Sequence, residues 1–300
     1  MRKSQPVLLI IVLLFFLSPN MGRAQPTVSA NHAILIERDT GNVLFEKNAY
    51  DVKPVASITK VMTAIIAIES GQMDEIATTS RRAIYTEGSS IYLEQGERMK
   101  IKDLIYGLML RSGNDAAVSI SEHIGNSVEG FVHLMNEKAR WIGMNDTHFT
   151  NPHGLHSDDH YSTAYDMALL TQYAMNNEDY REISSTQTYQ AEKRSYAWLN
   201  KNKLLTSMYE YCTGGKTGFT KSAGRTLITT AEKDGVELIA VTLNAPDDWR
   251  DHIQMYEWGF DNHNAQTQSG NIHTTTQDKK ANDRFRINVA EQFRHMIGWY

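Results

Sequence analysis

Ser57-Ile58-Thr59-Lys60-Val61-Met62-Thr63-Ala64-Ile65-Ile66-Ala67-Ile68 is the stretch on which the fold turns. Apolar residues occupy nearly every side of a helix drawn through it. A helix apolar all round belongs at the centre of a core, not on a surface. Its flanks differ in kind. Upstream, 30–38 and 43–47 read as two strands joined by the hairpin signal Asp39-Thr40-Gly41-Asn42. Downstream, helical periodicity runs through 101–110, 116–124, 128–142 and 164–175. Then 224–231 and 236–243, rich in Thr, Val, Ile and Leu around Lys233-Asp234-Gly235, form a second hairpin, followed by a helix over 249–258. Strands at both ends with helices between imply one sheet that joins the two ends of the chain. The class is α/β of the α+β type, with helices on the faces of the sheet and a helical subdomain in the middle. No internal repeat is present.

The ends of the 300-residue chain read differently from its body. In 1–24, Arg2 and Lys3 precede an unbroken apolar run over 7–17, and Gly22-Arg23-Ala24 offers small residues for cleavage. That run is short for a membrane span. Cleavage after Ala24 is expected, with an uncleaved anchor as the alternative. Loss of Arg2, Lys3 and Arg23 takes the net charge from −5 to about −8, which argues against a nucleic-acid partner. Cys212 is the single cysteine and has no intrachain partner, so it is expected to be a buried structural thiol. Residues 25–262 form the main domain and 263–282 a polar linker. In 283–300, Phe285, Val289, Phe293, Met296, Trp299 and Tyr300 share one helical face. Such a face lies on a membrane surface or packs on protein, and a moment alone does not separate the two.

Three short motifs carry the chemistry. Ser57 and Lys60 stand at i and i+3, on one face of a first helical turn. A serine becomes a nucleophile when a base takes its proton, and a lysine serves only if its pKa is lowered. Burial beside a second cation does that, and Lys216 is the candidate. Ser112-Gly113-Asn114 falls between two predicted helices, where Ser112 can relay a proton to a leaving amine and Asn114 can hold a substrate amide. Lys216-Thr217-Gly218 leads into the β-rich part of the chain. An extended strand there can bind a peptide in β fashion, with Lys216 and Thr217 on a carboxylate and Gly218 allowing close approach of substrate. Singly, each motif also reads as a helix cap or a glycine turn. Together and in this order they match the serine acyl-transfer set of penicillin-binding proteins and class A β-lactamases.

The chain resembles the low-molecular-weight penicillin-binding proteins that are serine D-alanyl-D-alanine carboxypeptidases. The likeness covers roughly 30–260 and extends to 56–63, 111–117, His160-Tyr161-Ser162-Thr163-Ala164-Tyr165-Asp166-Met167-Ala168 and 214–226. The resemblance implies a penicillin-binding-like transpeptidase fold, mainly an antiparallel sheet flanked by helices. It implies an exported cell-envelope enzyme, on the outer face of the cytoplasmic membrane if 283–300 serves as the family's amphipathic helix. Its implied partners are peptidoglycan stem peptides, with β-lactams as covalent inhibitors, and no cofactor or metal. Ser57 would attack the penultimate D-alanine carbonyl with Lys60 as base, and water would hydrolyse the acyl-enzyme. The backbone N–H groups of Ser57 and Phe219 would form the oxyanion hole. Arg250 matches an arginine suited to the substrate's terminal carboxylate. Many relatives carry a β-rich domain after the catalytic one, whereas only a short segment follows Phe260 here.

Other readings use the same residues. A D,D-endopeptidase of cross-links would differ in the width of the cleft. A β-lactamase would need a deacylating water, usually held by a glutamate; no segment clearly supplies one, and Gly113 stands where the S-D-N version has aspartate. A wall-binding protein without activity is hard to reconcile with intact motifs. A metal enzyme would draw on His148, His153, His156, His160, Asp158 and Asp159, a crowded run whose spacing fits no zinc motif.

Overall fold

A computed structural model describes residues 24–268, with side chains through residue 263. The leader apart from Ala24, residues 269–282 of the polar stretch and the segment 283–300 lie outside the described residues. Five strands form the central antiparallel sheet: β1 (His32–Glu37), β2 (Val43–Lys47), β7 (Cys212–Thr220), β8 (Gly224–Lys233) and β9 (Val236–Leu243). Their order is β2-β1-β9-β8-β7, so the N-terminal hairpin and the C-terminal strands meet at β1 and β9. Both hairpins form as expected. The strand between them and the helices, β7, is longer than the Lys-Thr-Gly motif and lies at an edge, with β8 as its one neighbour in the sheet.

The remaining elements are α1 (Lys60–Glu69), β3 (Ile76–Thr78), α2 (Arg81–Ile84), β4 (Arg98–Lys100), α3 (Ile101–Tyr106), α4 (Asn114–Ile124), α5 (Val128–Ile142), α6 (Ala164–Ala174), α7 (Glu178–Ser185), β5 (Thr188–Tyr189), β6 (Trp198–Leu199) and α8 (Asp248–Gln268). Every residue of α1 is buried, as its all-round apolarity requires. It is the axis of the larger core, where Ile65 and Ile66 join Ile34, Ile228 and Val241 of the sheet to Leu104, Ile120 and Phe131 of the helical subdomain. The opposite face of the sheet is covered by α8, through Met255, Tyr256 and Phe260 on Leu35, Leu238 and Ala240. Two details depart from the sequence expectation. Helix 101–110 stops at Tyr106 and continues over Gly107–Arg111 as a wider, π-type turn. The last helix extends beyond 249–258 to Gln268, crossing the boundary placed at 262/263, because 260–268 contains neither Gly nor Pro to end it.

No helix among the described residues is long and apolar enough to cross a membrane. Cys212 is buried, its Sγ 3.5 Å from the Gly214 carbonyl, and burial pushes its thiol up to about 11. That environment suits a structural thiol and not a nucleophile.

Candidate active site

The nucleophile's turn is the first thing the local fold explains. Ala56–Thr59 is a single 3₁₀ turn leading into α1. In such a turn residues i and i+3 eclipse one another, which stacks Lys60 on Ser57. Neither Ser57 nor Thr59 caps the helix with its side chain, so the helix-cap reading of this motif fails. Lys60 is wholly buried; its Nζ lies 3.0 Å from Ser57 Oγ, 2.7 Å from Asn114 Oδ1 and 2.7 Å from the His153 carbonyl. Burial, followed by the charges of Lys216 and Lys201, holds its pKa well below the ordinary lysine value, against an opposing pull from Asp115. A neutral amine has two N–H groups and one lone pair. The amide oxygen and the carbonyl accept both N–H groups, which leaves the lone pair for the Ser57 proton.

The second motif closes the wide turn after α3. Ser112 is buried in the left-handed region (φ 65°, ψ 33°), a conformation uncommon outside glycine and enriched at functional sites. A side chain at Gly113 would stand 2.8 Å from Asp115 Oδ1 and 3.1 Å from Ile91 Cγ2, which explains glycine where the S-D-N version has aspartate. Asn114 begins α4. Its Oδ1 is taken by Lys60, and its Nδ2 donates to the Glu87 carbonyl at 2.5 Å. Asn114 thus positions the base, and its second N–H and second oxygen lone pair leave the expected contact to a substrate amide open. Asp115 holds the facing loop, accepting from Ser90 Oγ at 2.6 Å and from the Ile91 and Leu93 N–H groups, each at 3.1 Å.

The third motif lies along the edge strand β7. Lys216 is buried, donates to Ser112 Oγ at 3.0 Å and to the Thr217 carbonyl at 2.6 Å, and is pushed down to about 7 by burial and then by Lys201. Thr217 and Gly218 are half-buried and Phe219 is exposed. Gly218 has a reason beyond the approach of substrate. A Cβ there would meet Ser57 N at 2.9 Å and Thr226 Oγ1 at 2.4 Å, so it is the nucleophile's own turn that needs the space. Gly214 and Gly215 are likewise strand residues, not a turn; a Cβ at Gly215 would lie 2.2 Å from the Ile228 carbonyl.

The structure thus forms two hydrogen-bonded groups, Ser57–Lys60–Asn114 and Ser112–Lys216, near enough that the charge of Lys216 acts on Lys60, and sets Thr217, Gly218 and Phe219 on the strand beside them. Arg250 stands apart: it is exposed on the first turn of α8, with its Nε 3.2 Å from the Gln254 side-chain oxygen. Three contributors carry no sequence signal because they act through backbone atoms: the carbonyls of His153 and Glu87, and Ser89, whose carbonyl accepts the Asn114 N–H at 2.7 Å. Lys201, reaching Ser89 Oγ at 3.2 Å, is a further cation at the site that sequence reasoning missed. The histidine run does not converge on a metal. Among the described residues no three His, Cys, Asp or Glu side chains are placed to hold one, and His160 instead packs between Thr59 and Thr150. Chemically, the site supplies a serine beside a buried amine of depressed pKa, a second lysine linked to a hydroxyl, and a strand edge.

Residues 20–247 match the family model described as D-alanyl-D-alanine carboxypeptidase. The chain is 36% identical over 259 residues to the D-alanyl-D-alanine carboxypeptidase DacF of Bacillus subtilis, covering 82% of this chain and 67% of that protein. It is 32% identical to DacC of Escherichia coli, over 82% of this chain and 66% of that one. The chain therefore spans about two thirds of the length of these relatives. Among solved structures, a D-alanyl-D-alanine carboxypeptidase from Mycobacterium tuberculosis superposes with a TM-score of 0.76 at 27% identity, over 81% of this chain and 95% of that one. A mutant of the Streptomyces K15 DD-transpeptidase superposes with a TM-score of 0.75 at 28% identity, over 79% and 99%.

Proposed function

The chain belongs to the D-alanyl-D-alanine carboxypeptidase family, and from that premise we propose that it removes the terminal D-alanine from peptidoglycan stem peptides through an acyl-enzyme on Ser57. The observation that carries the proposal is the Lys60 amine, with both N–H groups accepted by Asn114 Oδ1 and the His153 carbonyl and its lone pair left to Ser57. Lys60 takes the Ser57 proton as Oγ bonds to the penultimate D-alanine carbonyl carbon. The charge that develops on the carbonyl oxygen is met by the N–H groups of Ser57 and Phe219. As the C–N bond breaks, Ser112 gives its proton to the departing amine of D-alanine and is reprotonated from Lys216, 3.0 Å away. Water then attacks the ester, its proton passing through Ser112 to the neutral Lys216, and the shortened peptide leaves as Lys60 returns the proton to Ser57 Oγ. A peptide laid along β7 would place its terminal carboxylate toward Lys216 and Thr217, and Arg250 is proposed to add a guanidinium to that anion.

The same cluster would be acylated by a β-lactam. A fluorescent penicillin should label the purified 25–300 chain and not its Ser57→Ala variant; equal labelling of both, or none of the wild type, overturns the reading. D-Alanine release from a stem pentapeptide, compared with cleavage of a cross-linked dimer, separates the carboxypeptidase from an endopeptidase. Among the described residues no carboxylate hydrogen-bonds Lys60, which favours a peptidase over a β-lactamase. A peptidoglycan substrate supports a site of action outside the cytoplasm, and 283–300 is proposed to rest on the membrane surface. Flotation with anionic liposomes should be lost when the chain is truncated at Asn282; equal flotation discards the anchor.

A further inference from the structure

His160 is buried, belongs to no catalytic cluster, and makes its contacts to two segments that both meet the nucleophile. The Thr150 N–H donates to its Nδ1 at 3.0 Å, and this settles the tautomer. With Nδ1 accepting, the ring proton is on Nε2, which lies 2.9 Å from Thr59 Oγ1 and donates to it. The Thr59 hydroxyl is then free to donate in turn, and it reaches the Ala56 carbonyl at 2.8 Å. The hydrogen bonds therefore run in one direction, from the Thr150 amide through His160 and Thr59 to the Ala56 oxygen.

That oxygen has a particular place in the chemistry. The Ala56 carbonyl and the Ser57 N–H belong to the same planar trans peptide unit, so they point in opposite directions and turn together. Fixing the Ala56 oxygen fixes the direction of the Ser57 N–H, the proposed oxyanion donor. The plane has reason to turn. Ala56 sits at φ 51°, a conformation that an L residue holds only when its surroundings impose it. Packing helps to impose it: Gly154 (φ 86°) lies so close to Ala56 that a Cβ would fall 1.9 Å from the carbonyl oxygen. The bond from Thr59 supplies the remaining constraint. Burial, together with the nearby charges of His148, Lys60 and His156, pushes the ring down to about 4, so it stays neutral and keeps Nδ1 an acceptor at working pH. Its other contact anchors Thr150, at the start of the loop that carries the His153 carbonyl to Lys60.

We propose that His160 is a positioning residue for acyl transfer: acting through Thr59, it holds the Ala56–Ser57 peptide plane so that the Ser57 N–H faces the developing oxyanion. This rests on the acyl-serine reading of Ser57. The test measures noncovalent affinity and acylation rate separately, with a fluorescent penicillin, for the wild type, His160→Ala, His160→Gln, Thr59→Val and the double variant His160→Ala/Thr59→Val. An oxyanion donor that is misdirected but not removed should cost on the order of 10- to 100-fold in acylation rate. His160→Ala and Thr59→Val should each show that loss with affinity before acylation little changed. The double variant should be no slower than the slower single one, because the two residues act in series. His160→Gln, which keeps a donor toward Thr59 and an acceptor toward Thr150, should recover most of the rate. If His160→Ala fails to fold, Thr59→Val carries the test, since it removes a hydroxyl at nearly constant shape. Acylation of Thr59→Val at the wild-type rate, multiplicative losses in the double variant, or a Gln variant no faster than Ala would overturn the proposal. Absence of labelling in the wild type would overturn the acyl-serine reading along with it.

Discussion

Gly218 of the edge strand faces Ser57: a Cβ on Gly218 would stand 2.9 Å from Ser57 N and 3.1 Å from Ile58 N. Both neighbours are backbone atoms, so no rotamer change relieves the contact. The 3₁₀ turn lies directly on β7, and glycine sets how near it can come.

Gly218→Ala should therefore push the turn away from the strand. A displacement of this kind misaligns Ser57 with anything bound along β7, and small misplacements at a reacting centre cost on the order of 100-fold in rate. The expected result is slow acylation by penicillin with a modest loss of thermal stability. A Gly218→Ala enzyme that acylates normally would show that the turn and the strand are free to separate.

Lys60→Arg tests the base. Arginine keeps the positive charge but does not give up its proton in proteins, so it has no lone pair to offer Ser57. Acylation should fall on the order of 10³-fold, within the range for losing a general base. Single-turnover labelling measures it directly, and an Arg variant of nearly full activity would place the base elsewhere.

Lys201 should tune the pH profile. Its charge lowers the pKa of both Lys60 and Lys216. Acylation requires Lys60 neutral, which gives a limb rising with pH, and Lys216 cationic, which gives a limb falling above about 7. Removing a positive charge lets both lysines move back up. Lys201→Gln should shift both limbs of the acylation profile to higher pH, and salt should shrink the difference from wild type because Lys201 is exposed. A downward shift of either limb would contradict this electrostatic assignment.

How much of this was legible beforehand depends on which atoms do the work. The roles proposed for Ser57, Lys60, Ser112, Asn114 and Lys216 are side-chain roles, so their motifs exposed them. The all-apolar run through Ile65 and Ile66 likewise announced the buried helix. Gly214, Gly215 and Gly218 allowed both a strand and a turn, because glycine in a strand packed against backbone resembles glycine in a turn, and the strand reading is the one that holds. Helical periodicity over 101–110 could not show the widening at Gly107, since both kinds of turn bury much the same face. The His153 and Glu87 carbonyls were out of reach, because every residue type has a carbonyl. His160 was visible only as one of several histidines; its role depends on Thr59 and Thr150, which only the tertiary fold brings to it.

The buried lysines should also be visible in stability. Lys216 is at about 7 in the folded chain and near 10.5 once unfolded. Between those values the unfolded state holds a proton that the native state does not, so this group makes stability rise with pH. Below about 7 both states are protonated, and its cost to folding is at its fullest. Lys216→Met removes the buried ammonium while keeping a long flexible side chain in its place. Charge removal of this kind often leaves stability unchanged or higher. The variant should therefore be inactive yet melt no lower than wild type at pH 7, and its advantage should shrink as the pH approaches 10. Titrating groups away from Lys216 cancel in the difference; Lys60 does not, because losing the Lys216 charge lets its pKa move back up, which adds to the advantage of the variant at the low-pH end. Scanning calorimetry of the pair across this range reads the effect, with about 2–4 °C expected per kcal/mol for a domain of this size. A difference in Tm that stays flat from pH 7 to 10 would mean that Lys216 keeps its proton in the folded state, and that its bond to Ser112 is the bond of a permanent cation.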